Sequence, residues 1–222
     1  MSLPTISTTT DIANLALSEI GARQLTDIET DTTEEGKACR QFYTITRDSL
    51  LRSYQWNFAT KRAELTSTTA PTTEWTSAWT LPSDHVRLIR IVGEDPSNPV
   101  RKFALEGRKL LVTGVDAATE HINIVYVCNS AAITDYDSLF IEALVFKLAS
   151  KIARRITEDM SMENDVLTKF NNLALVAATN ADAREVASGE NFGPQSLISQ
   201  SNLVRSRFGS RSGVSYSPQP PV

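Results

Sequence analysis

The change of hydrophobic period along this chain constrains its fold more than any other feature. Apolar residues recur at helical spacing up to residue 56, follow strand-like runs from 57 to 129, and return to helical spacing from 130. The first switch is written into "LRSYQWNFATKRAEL", residues 51–65. There a charged amphipathic helix ends, three aromatics follow (Tyr54, Trp56, Phe58), and a partial alternation begins. Helices, then short strands joined by turns, then helices make an α+β protein.

The helical part of residues 1–56 opens with "TDIANLALSEIGA". Thr10 or Asp11 is the expected cap, with Ile12, Leu15, Ala16, Glu19 and Ile20 at helical spacing and Gly21 as the stop. An acidic loop follows, and Thr32 with Glu35 forms a T-x-x-E capping box for a second helix. Its expected inward stripe is Ala38, Cys39, Phe42, Ile45, Ser49 and Leu50.

Residues 57–129 are expected to form an inserted antiparallel β domain, a meander or small barrel-like sheet. "AWTLP", "HVRLIRIVG" and "HINIVYVC" read as strands, and "VRKFALEGRKLLVTG" as a hairpin about Glu106-Gly107. Residues 130–188 then read as a helical hairpin that completes a bundle with the first helices. Ile141, Leu144, Val145, Leu148, Ile152 and Ile156 form one stripe; Leu167, Phe170, Leu173, Ala174, Ala177, Ala178 and Ala181 form the other. Residues 189–222 are rich in Ser, Gly and Pro, with no acidic residue after Glu190. Such a segment is expected to be a flexible C-terminal arm, yet its Leu203, Arg205, Arg207, Phe208 and Arg211 fit an arm that orders on a partner.

Apolar residues make up 41% of the 222 and charged residues 22%, which is globular usage. A net charge of −4 lacks the basic excess of a dedicated nucleic-acid binder. The start "MSLPTISTTTDIANL" shows no basic segment followed by an apolar one, so a soluble chain folded in the cytoplasm is expected. Cys39 and Cys128 have no partner at metal-ligand spacing and read as small buried hydrophobes.

Motifs of chemistry are sparse. The two histidines, His85 and His121, fall at strand starts beside Asp84 and Glu120, where polar surface residues are expected. Nucleophile elbows, phosphate-binding glycine loops and H-E-x-x-H are absent from the sequence, and no metal or cofactor is expected. Glu29 with Asp31, or Glu34 with Glu35, could be a glycosidase pair. Acidic residues before a helix are more simply explained by its dipole. Lys147, Lys151, Arg154 and Arg155 gather on one side of a helix, as a solvated or intersubunit basic face.

The segment "ACRQFYTITRDSLLRSYQWNFATKRAEL" resembles the tail tubular protein A family, the head-to-tail adaptors of short-tailed phages. The opening "ALSEIGARQLTDIETDTTEEGKACRQFY" is similar to that family's helix ending in Gly, acidic loop and second helix. Trp56, Asn57, Phe58 and Ala59 resemble its helix-to-sheet element. Leu81, Pro82 and Asp84 resemble its Leu-Pro-x-Asp strand opening, and "YDSLFIEALVFKLASKIARRIT" the helix after its sheet, through Phe140, Glu142, Ala143, Leu148 and Ala149. The likeness runs in order from about residue 10 to 187.

The resemblance implies a structural protein of the virion tail: a ring, usually of twelve copies, between portal protein and tail nozzle protein. DNA would pass through its lumen without sequence-specific binding, and no membrane is involved. It supplies no catalytic residues. The other readings are a tail-associated hydrolase of cell-wall or capsular sugar, using carboxylates such as Glu29, Asp31 and Glu35, and an assembly chaperone.

Overall fold

The structure, a computed structural model, describes residues 6–70, 74–94, 101–117 and 120–186. Helix α1 spans Thr9–Glu19 and α2 spans Glu34–Ser53. The cap of α1 lies earlier than Thr10 or Asp11: Thr8 accepts from the Asp11 amide, while the Asp11 carboxylate accepts from the Thr8 amide. Thr10 instead accepts from the Ile28 amide at 3.1 Å and ties α1 to the loop that follows. Gly21, at φ 68°, ends the helix as expected. The cap of α2 is Thr33 rather than Thr32, accepting from the Gly36 amide.

Both N-terminal stripes are rotated from their expected positions. In α1, Ile12, Ala13, Ala16 and Leu17 are buried, while Leu15 is exposed. In α2 the buried row is Ala38, Cys39, Tyr43, Thr46, Leu50 and Leu51; Ile45 and Ser49 face out. The i, i+4, i+7 relation of Cys39, Tyr43 and Thr46 defines that face, and a buried threonine is invisible to a hydropathy reading.

Seven strands follow among the described residues: β1 Thr60–Glu64, β2 Thr66–Thr68, β3 Ser77–Thr80, β4 His85–Ile91, β5 Phe103–Glu106, β6 Lys109–Val112 and β7 Asn123–Cys128. All pairings are antiparallel, and the sheets have orders β1-β7-β4 and β2-β3-β6-β5. The first sheet is not a meander, because the last strand, β7, lies between β1 and β4. The β5–β6 hairpin turns on Gly107-Arg108, with Gly107 at φ 58°; a type II′ turn needs glycine at its first central position.

Helix α3 spans Ser138–Thr157 and α4 spans Met160–Lys169; a π turn at Phe170–Ala174 leads into α5, Leu175–Val186. The described residues as far as Asp182 form one compact unit, which divides within α5 from the residues that follow. Val166, Phe170, Ala174 and Ala178 are buried from α4 onward, whereas Leu167, Leu173 and Ala177, expected inside, are exposed.

Two apolar cores result. One joins α1, α2, α3 and Val166–Ala178 with Trp56, Ala59 and Val127. The other lies between the sheets, around Trp79, Leu110, Val112, Ile124, Tyr126 and Cys128. Strand β7 serves both, with Val127 in the helical core and Ile124, Tyr126 and Cys128 in the other. Burial on both faces explains why "NIVYVC" is continuously apolar rather than alternating. Mixed helix and antiparallel sheet, α+β, is the observed class.

Candidate functional site

The junction written at residues 51–65 is built from aromatic contacts and hydrogen bonds. Helix α2 ends with unsatisfied carbonyls, as every helix does. The carbonyl of Leu50 accepts from the Trp56 indole Nε1 at 3.0 Å and from the Ser53 hydroxyl at 2.7 Å. Trp56 is 1% exposed. Its ring meets Phe140 of α3 edge-on at 4.9 Å and Tyr54 at 5.2 Å. Phe58 meets Phe140 at 4.8 Å and Tyr136 at 5.2 Å. The three sequence-selected aromatics therefore join one cluster with Tyr136 and Phe140, where such edge-on pairs add to area burial.

The residues between them hold the same joint through hydrogen bonds. The Asn57 amide donates to Asp182 Oδ1 at 2.9 Å and its side chain to the Asp182 carbonyl at 3.0 Å, tying α5 to the start of the sheet. Cys128 donates to the Ala59 carbonyl, and Thr60 Oγ1 to that of Trp56. On the other side, Arg52 reaches the Val86 carbonyl at 2.8 Å. Asp182 was invisible to sequence reasoning, since nothing local marks a partner 125 positions away.

Leu81, Pro82 and Asp84 form a second joint. Leu81 is buried in the sheet core, and the Pro82 carbonyl accepts from Arg108 at 2.7 Å. Asp84 accepts from Ser130 Oγ at 2.6 Å, Lys61 Nζ at 3.1 Å and Tyr126 OH at 3.0 Å. Burial alone would raise the Asp84 carboxyl, but these three hydrogen bonds outweigh it and hold it below its ordinary range. Tyr126 is pushed up to about 12 by burial, then by Asp84. The hydrogen bond to Asp84 raises Lys61.

Lys61 Nζ also lies 2.5 Å from Ser130 Oγ. A nucleophilic serine needs a neighbour able to take its proton. Lys61 here is held protonated, and Ser130 already donates to Asp84. The cluster is arranged as a clasp across β1, β4 and β7.

The other sequence-selected groups are dispersed. Asp31 accepts from the Thr33 amide and hydroxyl, which lowers its carboxyl, the hydroxyl contributing most. Glu34 pairs with Lys37 and Arg155. Arg40 gathers the carbonyls of Ile28, Glu29 and Asp31 at 2.6–3.0 Å and so fixes the acidic loop. Glu29 and Glu35 face solvent to differing degrees beside that scaffold.

Of the basic face, Lys147 turns inward. It donates to Ser49 at 2.9 Å, lies over the Phe170 ring and is lowered by burial and by Lys151. Arg155 binds Gln41 and Glu34, while Lys151 and Arg154 are exposed. His121 is exposed against Glu64, but His85 Nε2 is buried without a hydrogen-bond partner, unlike the surface residue expected there. Cys39 and Cys128 are free and buried. Burial, then Glu35, pushes the Cys39 thiol up to about 11.

Among the described residues, no group of three or more His, Cys, Asp or Glu could hold a metal ion, and no helix is long and apolar enough to cross a membrane. Leu203, Arg205, Arg207, Phe208 and Arg211 lie outside the described residues. Compared with protein-family models and with curated proteins, the chain matches none.

Proposed function

We propose that the chain is a structural head-to-tail adaptor resembling tail tubular protein A, and not an enzyme. It would form a ring, a dodecamer by that resemblance, between portal and nozzle proteins in the virion tail after assembly in the host cytoplasm. In this reading residues 1–56 and 130–188 make one helical bundle, 57–129 an inserted β domain, and 189–222 an arm. The arm reaches the portal or a neighbouring copy through Leu203, Arg205, Arg207, Phe208 and Arg211.

The observation that carries the reading is where the quoted motifs fall. Trp56, Asn57, Phe58 and Ala59 build the helix-to-sheet joint, Asp84 clasps three strands, and Phe140 sits in the aromatic cluster. Motifs concentrated at joints fit a protein whose task is to hold shape. Leu167 of α4, Leu173 of the π turn and Val176 of α5 are exposed apolar side chains that could meet helices of neighbouring copies. Lys151 and Arg154 are exposed basic ones. The net charge of −4 suits a wall that lets DNA pass, since many phosphate contacts would retain it.

The test is co-sedimentation of the full chain, and of residues 1–188, with the portal protein. The reading expects the full chain to bind and the truncated chain to stay folded but unbound. Binding by neither contradicts it, and full binding by the truncated chain removes the role of the arm.

A further inference from the structure

Among the described residues, β5 is an edge strand of its four-stranded sheet. Thr113 donates to the Lys102 carbonyl at 3.1 Å, and Phe103, Ala104, Leu105 and Glu106 lie opposite Val112, Leu111, Leu110 and Lys109. Hydrogen-bonded and non-bonded positions alternate along an antiparallel pair. Lys102, Ala104 and Glu106 therefore turn their backbone groups toward β6. The N–H and C=O of Phe103 and Leu105 point to the other side, where no strand lies among the described residues.

The side chains of these two residues are also incompletely covered. Phe103 and Leu105 share a face with Val112 and Leu110, which are 1% and 0% exposed in the core between the sheets. Phe103 and Leu105 themselves are 43% and 46% exposed. The apolar face of the sheet runs past its cover at this strand.

What fits this edge is written in the strand. Residues 102–106 read Lys-Phe-Ala-Leu-Glu, which is self-complementary when set antiparallel about Ala104. Lys102 then faces the partner's Glu106, and Phe103 faces the partner's Leu105, each twice. Opposite charges and apolar pairs directly across a ladder both stabilise it. The backbone groups that this register joins are those of Phe103 and Leu105, the ones that face away from β6. Centring the pair on Leu105 would instead set Lys102 against the partner's Arg108.

We propose that the β5 edge is a self-association surface on which two copies of the chain join their four-stranded sheets in this register. The contact is two-fold, so it does not propagate into a ring; it concerns the free chain and stands whether or not the chain is an adaptor. One short strand per copy lies far below the roughly 800 Å² per partner of a stable interface. The dimer is therefore weak, forming at high concentration and separating readily.

Sedimentation velocity of the full chain over a concentration series tests this, with thermal melts to confirm that each variant folds. Wild type is expected to move from monomer to dimer as concentration rises. Lys102→Glu, which sets two carboxylates face to face, should weaken association at least fivefold. The double variant Lys102→Glu with Glu106→Lys restores the charge pairs and should return within about twofold of wild type. Leu105→Pro removes a donor that faces the open edge, spares the bonds to β6, and should remain monomeric. Wild type that stays monomeric throughout overturns the proposal. So does an association that Lys102→Glu and Leu105→Pro leave unchanged, or a folded double variant that stays as weak as the single one.

Discussion

The indole N–H of Trp56 lies 3.0 Å from the carbonyl oxygen of Leu50, six residues back, so the residue that begins the turn into the sheet also closes the helix behind it. One side chain thus performs two tasks: it satisfies a helix end and fills the core beneath α3. The tasks separate by substitution. Trp56→Ala should lose about 3–5 kcal/mol of stability through the cavity and the lost indole hydrogen bond, with the Leu50 carbonyl left to Ser53 alone. Trp56→Phe keeps much of the apolar volume and should lose about 1–3 kcal/mol. Denaturant unfolding reads both: equal losses would show that the ring volume adds nothing beyond the hydrogen bond, and no loss in Trp56→Phe would show that the hydrogen bond adds nothing.

Gly36 sits in the first turn of α2, where a Cβ would come within 2.9 Å of both the Asp31 Cβ and the Asp31 carbonyl oxygen. Glycine to alanine in an open helix gains about 0.5–1 kcal/mol. Here backbone must move, so Gly36→Ala should destabilise by about 1–3 kcal/mol. A raised melting temperature would contradict this packing of the acidic loop.

Thr46 is buried on α2 with no hydrogen-bond partner for its hydroxyl. Thr46→Val keeps the shape and removes the unsatisfied group, and should stabilise the protein by about 1 kcal/mol. Loss of stability on that change would mean the hydroxyl is satisfied in solution.

Acid should weaken the fold in two stages. Burial, with Arg108 and Arg52 nearby, holds the His85 imidazole below its ordinary 6.5. The unfolded chain then binds a proton that the folded chain resists, so stability falls as pH drops from 6.5 toward the lowered folded value. Asp84 has a folded carboxyl below the ordinary 3.8; its stabilisation is present above that value and is lost as pH falls through the folded one. Unfolding midpoints measured from neutral pH downward should show both declines. His85→Phe should flatten the first and leave the second.

The order of helix and strand was legible because the hydrophobic period changes with it, and the "VRKFALEGRKLLVTG" hairpin was legible because Gly107 supplies the turn. The facing of the helices was not. In α2 the core accepts Tyr43 and Thr46 and leaves Ile45 in water, so the inward face carries less hydropathy than its neighbour. From Val166 onward the buried residues step by four, and each step overshoots a 3.6-residue turn by about 40°. The wider π turn at Phe170–Ala174 takes back part of that drift, and a constant helical period cannot foresee it. The aromatics of the junction were conspicuous in sequence, but Asp182 and Ser130, which complete the two joints, come from distant segments with no local signal.

The most direct test of the proposed adaptor role is electron microscopy of this chain co-expressed with the portal protein it is proposed to bind. The account predicts a second ring stacked on the portal, with twelve-fold class averages. Bare portal rings beside free, folded chain would contradict it.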